Sequence, residues 1–144
     1  MARGFWHVDR PVWRFPSTRS SPSKARPVSG LVRIKRIYEP AEAQDGMRVL
    51  VDRLWPRGVS KAEAAIDLWL KAAAPRPELR RWFGHRADRW PEFQRRYRTE
   101  LAHNPAVAQL RDLARQSDLT LLYAARDETH NHALVLADQV VSAG

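Results

Sequence analysis

Two segments of the chain carry most of the side chains that could do chemistry. The first, Met47 to Ser60, runs from an apolar stretch into Asp52, Arg53, Trp55, Arg57 and Gly58. The second, Leu119 to Ala133, runs from Leu119-Thr-Leu-Leu-Tyr123 into Arg126, Asp127, His130, Asn131 and His132. Arginine forks grip carboxylate or phosphate through paired hydrogen bonds. An indole such as Trp55 can stack on a cation or a flat ligand. Gly58 allows close backbone approach, and a helix opened by Ser60 would add its positive N-terminus. On this reading the first segment, with Arg126 from the second, is an anion cradle. The plain alternative is a buried Asp52–Arg53 pair with Trp55 plugging the core.

In the second segment, His130 or His132 could transfer protons, with Asp127 beside them. The alternative is that the ring nitrogens and Asp127 cap a helix. Two histidines at i, i+2 share a face only on an extended backbone. A metal site would therefore need further ligands from Asp127, Glu128 or His85, and the spacing requires no metal. Tyr123 and Asn131 could contact a ligand; for Tyr123, a place in the core is the simpler role. His85 follows Gly84 in a loop that could reach either segment. The chain has no phosphate-binding glycine loop and no serine nucleophile elbow. It has no cysteine, which excludes disulfides, thiolate metal sites and thiol catalysis. No cofactor is implied.

A chain of 144 residues fits one domain with one core. The net charge of +9 invites a nucleic-acid partner. Residues 1–30 hold six of the Lys and Arg against one Asp, so more than half the excess lies there. A basic stretch from Arg80 to Arg98, interleaved with Trp82, Trp90 and Tyr97, could bind single strands if the aromatics were exposed. They fall at core spacing instead. The competing functions are thus an enzyme or binder of a small anionic ligand at the two segments, and a non-enzymatic accessory protein. The second would bind nucleic acid or a protein through the basic helix and tail. The longest apolar runs are far shorter than the ~20 residues that a bilayer requires, so no membrane partner is expected. No secretory signal pattern follows Met1, and a cytoplasmic protein is expected.

The elements that must position these residues alternate. Residues 1–30 read as a disordered basic tail, rich in Pro, Ser and Arg, in which Trp6, Trp13 and Phe15 could dock. Residues 31–144 read as the folded domain. Leu31 to Ile37 predicts a half-exposed strand, at an edge guarded by Arg33 and Lys35. Met47 to Asp52 and Leu119 to Ala124 predict buried strands. Ser60 with Glu63 predicts a capping box. Asp88 is expected to cap a helix with the stripe Phe93, Tyr97, Leu101, and Asn104-Pro105 to open the next. Asp127 or Thr129 is expected to cap the last. Strands that alternate with helices predict a small α/β sandwich with a mostly parallel sheet. Ligands in such sheets bind outside the carboxyl ends of the strands, where both segments lie.

Six stretches together resemble the YeaO-like bacterial proteins, a branch of a larger family of unknown function. They are Val32-Arg-Ile-Lys-Arg-Ile-Tyr-Glu-Pro40, Arg48-Val-Leu-Val-Asp-Arg-Leu-Trp-Pro-Arg-Gly58, Asp67-Leu-Trp-Leu-Lys71, Leu79-Arg-Arg-Trp-Phe-Gly-His85, Phe93-Gln-Arg-Arg-Tyr-Arg-Thr-Glu-Leu101 and Leu121-Leu-Tyr-Ala-Ala-Arg-Asp-Glu-Thr-His-Asn-His-Ala133. The resemblance spans residues 32–141 in order and implies a small α/β domain without an established activity. That family usually has lysine where this chain has Arg126, and related branches carry cysteines near Tyr123 and His130. Neither lysine nor thiol chemistry carries over to this chain.

Overall fold

The computed structural model describes residues 11–14 and 30–142. The strands are β1 (Val12–Arg14), β2 (Leu31–Arg36), β3 (Met47–Leu50), β4 (Leu68–Trp69) and β5 (Leu119–Tyr123). They form one sheet in the order β1-β2-β5-β3-β4. β5, the last in sequence, lies in the middle, parallel to β2 on one side and β3 on the other. All five of its residues are buried, as a strand covered on both faces requires. β4 extends the parallel set beside β3, and β1 pairs antiparallel with β2.

β1 lies inside the stretch read as a disordered tail. Val12–Arg14 pairs with Leu31 to Arg33, and Trp13 packs against the main core. A tryptophan with a strand edge within reach has both apolar area and a hydrogen-bond ladder to gain. The rest of the expected tail, with Trp6 and Phe15, lies outside the described residues. β2 is consequently not an edge strand, and Lys35 guards nothing: it is buried.

The helices are α1 (Lys61–Ala64), α2 (Pro77–Phe83), α3 (Trp90–Ala102), α4 (Pro105–Gln116) and α5 (His132–Val141). The Ser60–Glu63 box opens α1 with bonds of 3.0 and 3.1 Å. Asn104 caps α4, with Pro105 at its first position. Asp88 caps nothing: it lies in a 3-10 turn, Ala87–Arg89, and pairs with Arg86. The cap of α5 is Asn131, whose Oδ1 accepts from Leu134 N at 3.2 Å. Asp127 is not available for that role, because the preceding turn uses its carboxylate.

The two faces of the sheet differ. Val32, Ile34, Val49, Val51, Leu119 and Leu121 meet the apolar sides of α2 to α5 in the main core. On the other face, Leu50 and Leu122 meet α1, Trp55 and Trp69. Beside that small cluster lies a buried ionic knot. Lys35 Nζ donates to Asp45 Oδ1 at 3.0 Å and to the Pro40 carbonyl at 2.9 Å. Arg48 Nη1 donates to Asp45 Oδ2 at 2.6 Å, and Arg48 Nη2 to the Ala64 carbonyl at 2.7 Å. Burial raises the Asp45 pKa, but the Glu42 N–H, Lys35 and Arg48 outweigh it and hold the carboxyl below its usual range. Gly46 follows with φ +67°, and a Cβ there would stand 2.3 Å from the Asp118 carbonyl oxygen. Only glycine lets the chain turn into β3 at that approach.

The connection after β3 goes to the α1 face, and the connection after β5 goes to the α5 face. Adjacent parallel strands whose connections part in this way open a crevice at their carboxyl ends.

Candidate functional site

The ends of β3 and β5 are tied to each other before the crevice opens. Val51 N donates to the Leu122 carbonyl at 3.1 Å, and Ala124 N donates to Asp52 Oδ2 at 3.1 Å. His132, the first residue of α5, reaches back with Nε2 at 3.0 Å from the Val51 carbonyl and 3.3 Å from Asp52 Oδ1. A carbonyl acceptor fixes the proton on Nε2. Asp52 Oδ1 is itself buried and makes no hydrogen bond. Burial dominates there and raises the Asp52 pKa, while His132, the Ala124 N–H and Arg80 pull it down without cancelling the rise.

A second Asp–His pair lies in the turn after β5. Asp127 Oδ1 accepts from Thr129 N at 2.9 Å and from His130 N at 3.0 Å, which closes the turn. Asp127 Oδ2 lies 2.9 Å from His130 Nδ1, close enough to accept a hydrogen bond from it. Burial raises the Asp127 pKa, but bonds from the Thr129 N–H, His130 and the Thr129 hydroxyl outweigh it, so the carboxyl ionises more readily than usual. Asn131 is 2 % exposed; besides capping α5, its Nδ2 donates to the Asp127 carbonyl at 3.0 Å.

Both pairs line one cleft of about 590 Å³. Of the candidates read from sequence, Arg53, His85, Arg126, Asp127, His130, Asn131 and His132 all border it. Arg53 comes from the β3 loop, where Nη2 donates to the carbonyls of Ala74 and Pro75 at 3.2 and 3.3 Å. Its Nε is buried and makes no hydrogen bond. Arg126 is exposed on the β5 loop. His85 follows Gly84, and both take left-handed φ, +60° and +51°, where the chain turns from α2 toward α3.

Three candidates do not border the cleft. Trp55 donates from Nε1 to the Val59 carbonyl at 2.7 Å and packs edge-on to Trp69, with ring centroids 5.3 Å apart, on the α1 face. Arg57 is exposed on a turn whose carbonyl accepts from the Tyr38 hydroxyl at 3.1 Å. Tyr123 is buried in the main core. Trp55 and Tyr123 therefore take the plain roles weighed for them, and the β3 segment is half packing.

Sequence reasoning named Asp52 only as a structural partner of Arg53 and missed Arg80, Phe83 and Phe93; all four also line the cleft. Asp52 had a usable signal, as the first polar residue after a buried parallel strand. Arg80 had none: nothing in Arg80-Arg81 tells which guanidinium faces the cleft. The aromatics of the basic stretch are not an exposed binding face. Tyr97 is buried. Trp82 has the guanidinium groups of Arg89 and Arg96 over its ring, 5.0 and 4.4 Å from the centroid. Arg95 and Arg96 both pair with Glu92.

No group of three or more His, Cys, Asp or Glu among the described residues is arranged to hold a metal ion. No helix among them is long and apolar enough to cross a membrane. The lining holds no Ser, Thr, Cys or Lys. It does hold three arginines against two aspartates, a formal +1 with the histidines neutral.

Residues 31–143 match the family described as the inactive DUF488-N3 subclade. The chain is 48% identical over 108 residues to the uncharacterized protein YeaO of Escherichia coli (strain K12), over 74% of this chain and 94% of that one. It is 44% identical over 106 residues to the uncharacterized protein Mb3100c of Mycobacterium bovis, over 74% of this chain and 90% of that one. The uncharacterized protein Rv3073c of Mycobacterium tuberculosis aligns to the same extent, at 44% identity over 106 residues. No solved structure matches the chain.

Proposed function

From the premise that this chain belongs to the DUF488 family, in the subclade described as inactive, we propose that it binds a small anionic ligand without transforming it. The observation that carries this reading is the ring of Arg53, Arg80 and Arg126 around a cleft that also receives the start of α5. Guanidinium forks and the N-terminal end of a helix favour the same partner, an oxyanion. The charge of the lining adds to this, since three arginines face two aspartates. A binder also suits a lining without hydroxyl, thiol or amine nucleophiles.

The test is titration calorimetry with inorganic phosphate at fixed ionic strength. Phosphate should bind, and Arg80→Ala and Arg126→Ala should each weaken it severalfold. Arg57→Ala should leave it unchanged. Calorimetry is preferred to thermal shift because oxyanions stabilise most proteins by exclusion. No measurable heat, or equal loss on Arg57→Ala, would overturn the reading.

A further inference from the structure

The arginines account for only part of the cleft. Its other walls include Phe83 and Phe93, stacked with centroids 4.3 Å apart, together with Pro75, Leu54, Ala124 and Ala125. A volume near 590 Å³ falls in the ~300–1,000 Å³ range of sites that enclose drug-sized ligands. An inorganic oxyanion held by the arginines would leave the apolar walls against water.

Leu54 sharpens the point. It is 63% exposed, the most exposed of the large hydrophobic side chains among the described residues, and it belongs to neither core cluster. It lines the cleft from the β3 loop. His85 lines it from the loop after α2, with its ring 6.3 Å from that of Phe83. A leucine that lines a cleft beside Phe83 and Phe93 adds to the apolar surface that a ligand seated there would cover.

We infer that the ligand is an oxyanion carried on a flat aromatic body, with its charged head at the arginines and its ring between Leu54 and the Phe83–Phe93 wall. This rests on the anion-binding reading and adds the chemistry of the rest of the molecule. Burial of one ring face against such walls raises affinity through the apolar area removed from water. Orientation follows from the chemistry, since the guanidinium groups attract the oxyanion and the apolar walls attract the ring.

Three probes separate the two ideas: inorganic phosphate, glycerol phosphate and phenyl phosphate, which share a head group and differ in body. Phenyl phosphate should bind at least tenfold tighter than either of the others. Leu54→Ser should remove most of that advantage while inorganic phosphate binds as before. The residue is exposed, so the variant should fold, which its unchanged melting midpoint would verify. Equal affinity for phenyl and glycerol phosphate, with phosphate still bound, overturns the aromatic body and leaves the anion site standing. If none of the three binds, both readings fail.

Discussion

Asp52 Oδ1 and His132 Nε2 stand 3.3 Å apart where the ends of two strands meet the start of a helix. One residue belongs to each of the segments singled out by their chemistry, so the pair bolts the two loops into one crevice. The bolt has a pH signature. Burial raises the folded Asp52 pKa above the ordinary value of about 3.9. Its contribution to stability is present below that ordinary value and is lost as pH rises through the higher folded one. Asp52→Asn should therefore gain on the wild type in melting midpoint between pH 4 and neutrality, as an asparagine oxygen can still accept from Ala124 N. A deficit that stays constant across that range would contradict the assignment.

The ionic knot on the other face should respond differently. Asp45→Asn leaves Lys35 and Arg48 buried with their shared carboxylate gone, a loss of about 3–5 kcal/mol for such networks. Urea unfolding would measure it. The sign with pH is opposite to that of Asp52: the lowered Asp45 pKa contributes stability above the ordinary carboxylate value, lost as pH falls through the folded one. A change below 1 kcal/mol would mean that water already reaches the knot.

Gly46→Ala should cost more than ~2 kcal/mol, because the substitution meets a positive φ and a backbone carbonyl at once. Gly58 has φ +74° but nothing near its absent side chain. Gly58→Ala should therefore cost only the conformational part. Thermal midpoints of the two variants should rank in that order; the reverse ranking would show that the Asp118 loop yields easily.

A chain beginning at Leu31 should melt below the full chain, since it lacks β1 and the Trp13 contact. Trp13→Ala alone should account for about 1–2 kcal/mol of apolar burial. Identical midpoints for the full and shortened chains would show that β1 adds nothing to the fold.

The sheet, its parallel sense and the crevice were legible because Leu119 to Tyr123 and Met47 to Leu50 are apolar runs followed by polar loops. What was not legible depended on which way side chains turn after a loop. Trp55 and Arg53 are two residues apart, yet one packs on the α1 face and the other borders the cleft. Lys35 looked like a guard on an edge because its partners, Asp45 and Glu42, come from a connector without periodicity. β1 escaped notice because three residues in a proline-rich stretch carry no pattern of their own. Their pairing is set by Leu31 to Arg33, far along the chain.

The central place of β5 sets a timetable for synthesis. β2 and β3 touch no common ladder until Leu119 to Tyr123 lies between them. A nascent chain halted at residue 118 therefore presents two strands with no middle, and the sheet cannot close before β5 has been made. Such late, long-range pairing slows folding and prolongs the exposure of sticky edges. Chaperone demand should concentrate in that interval, after α4 has emerged and before β5 has.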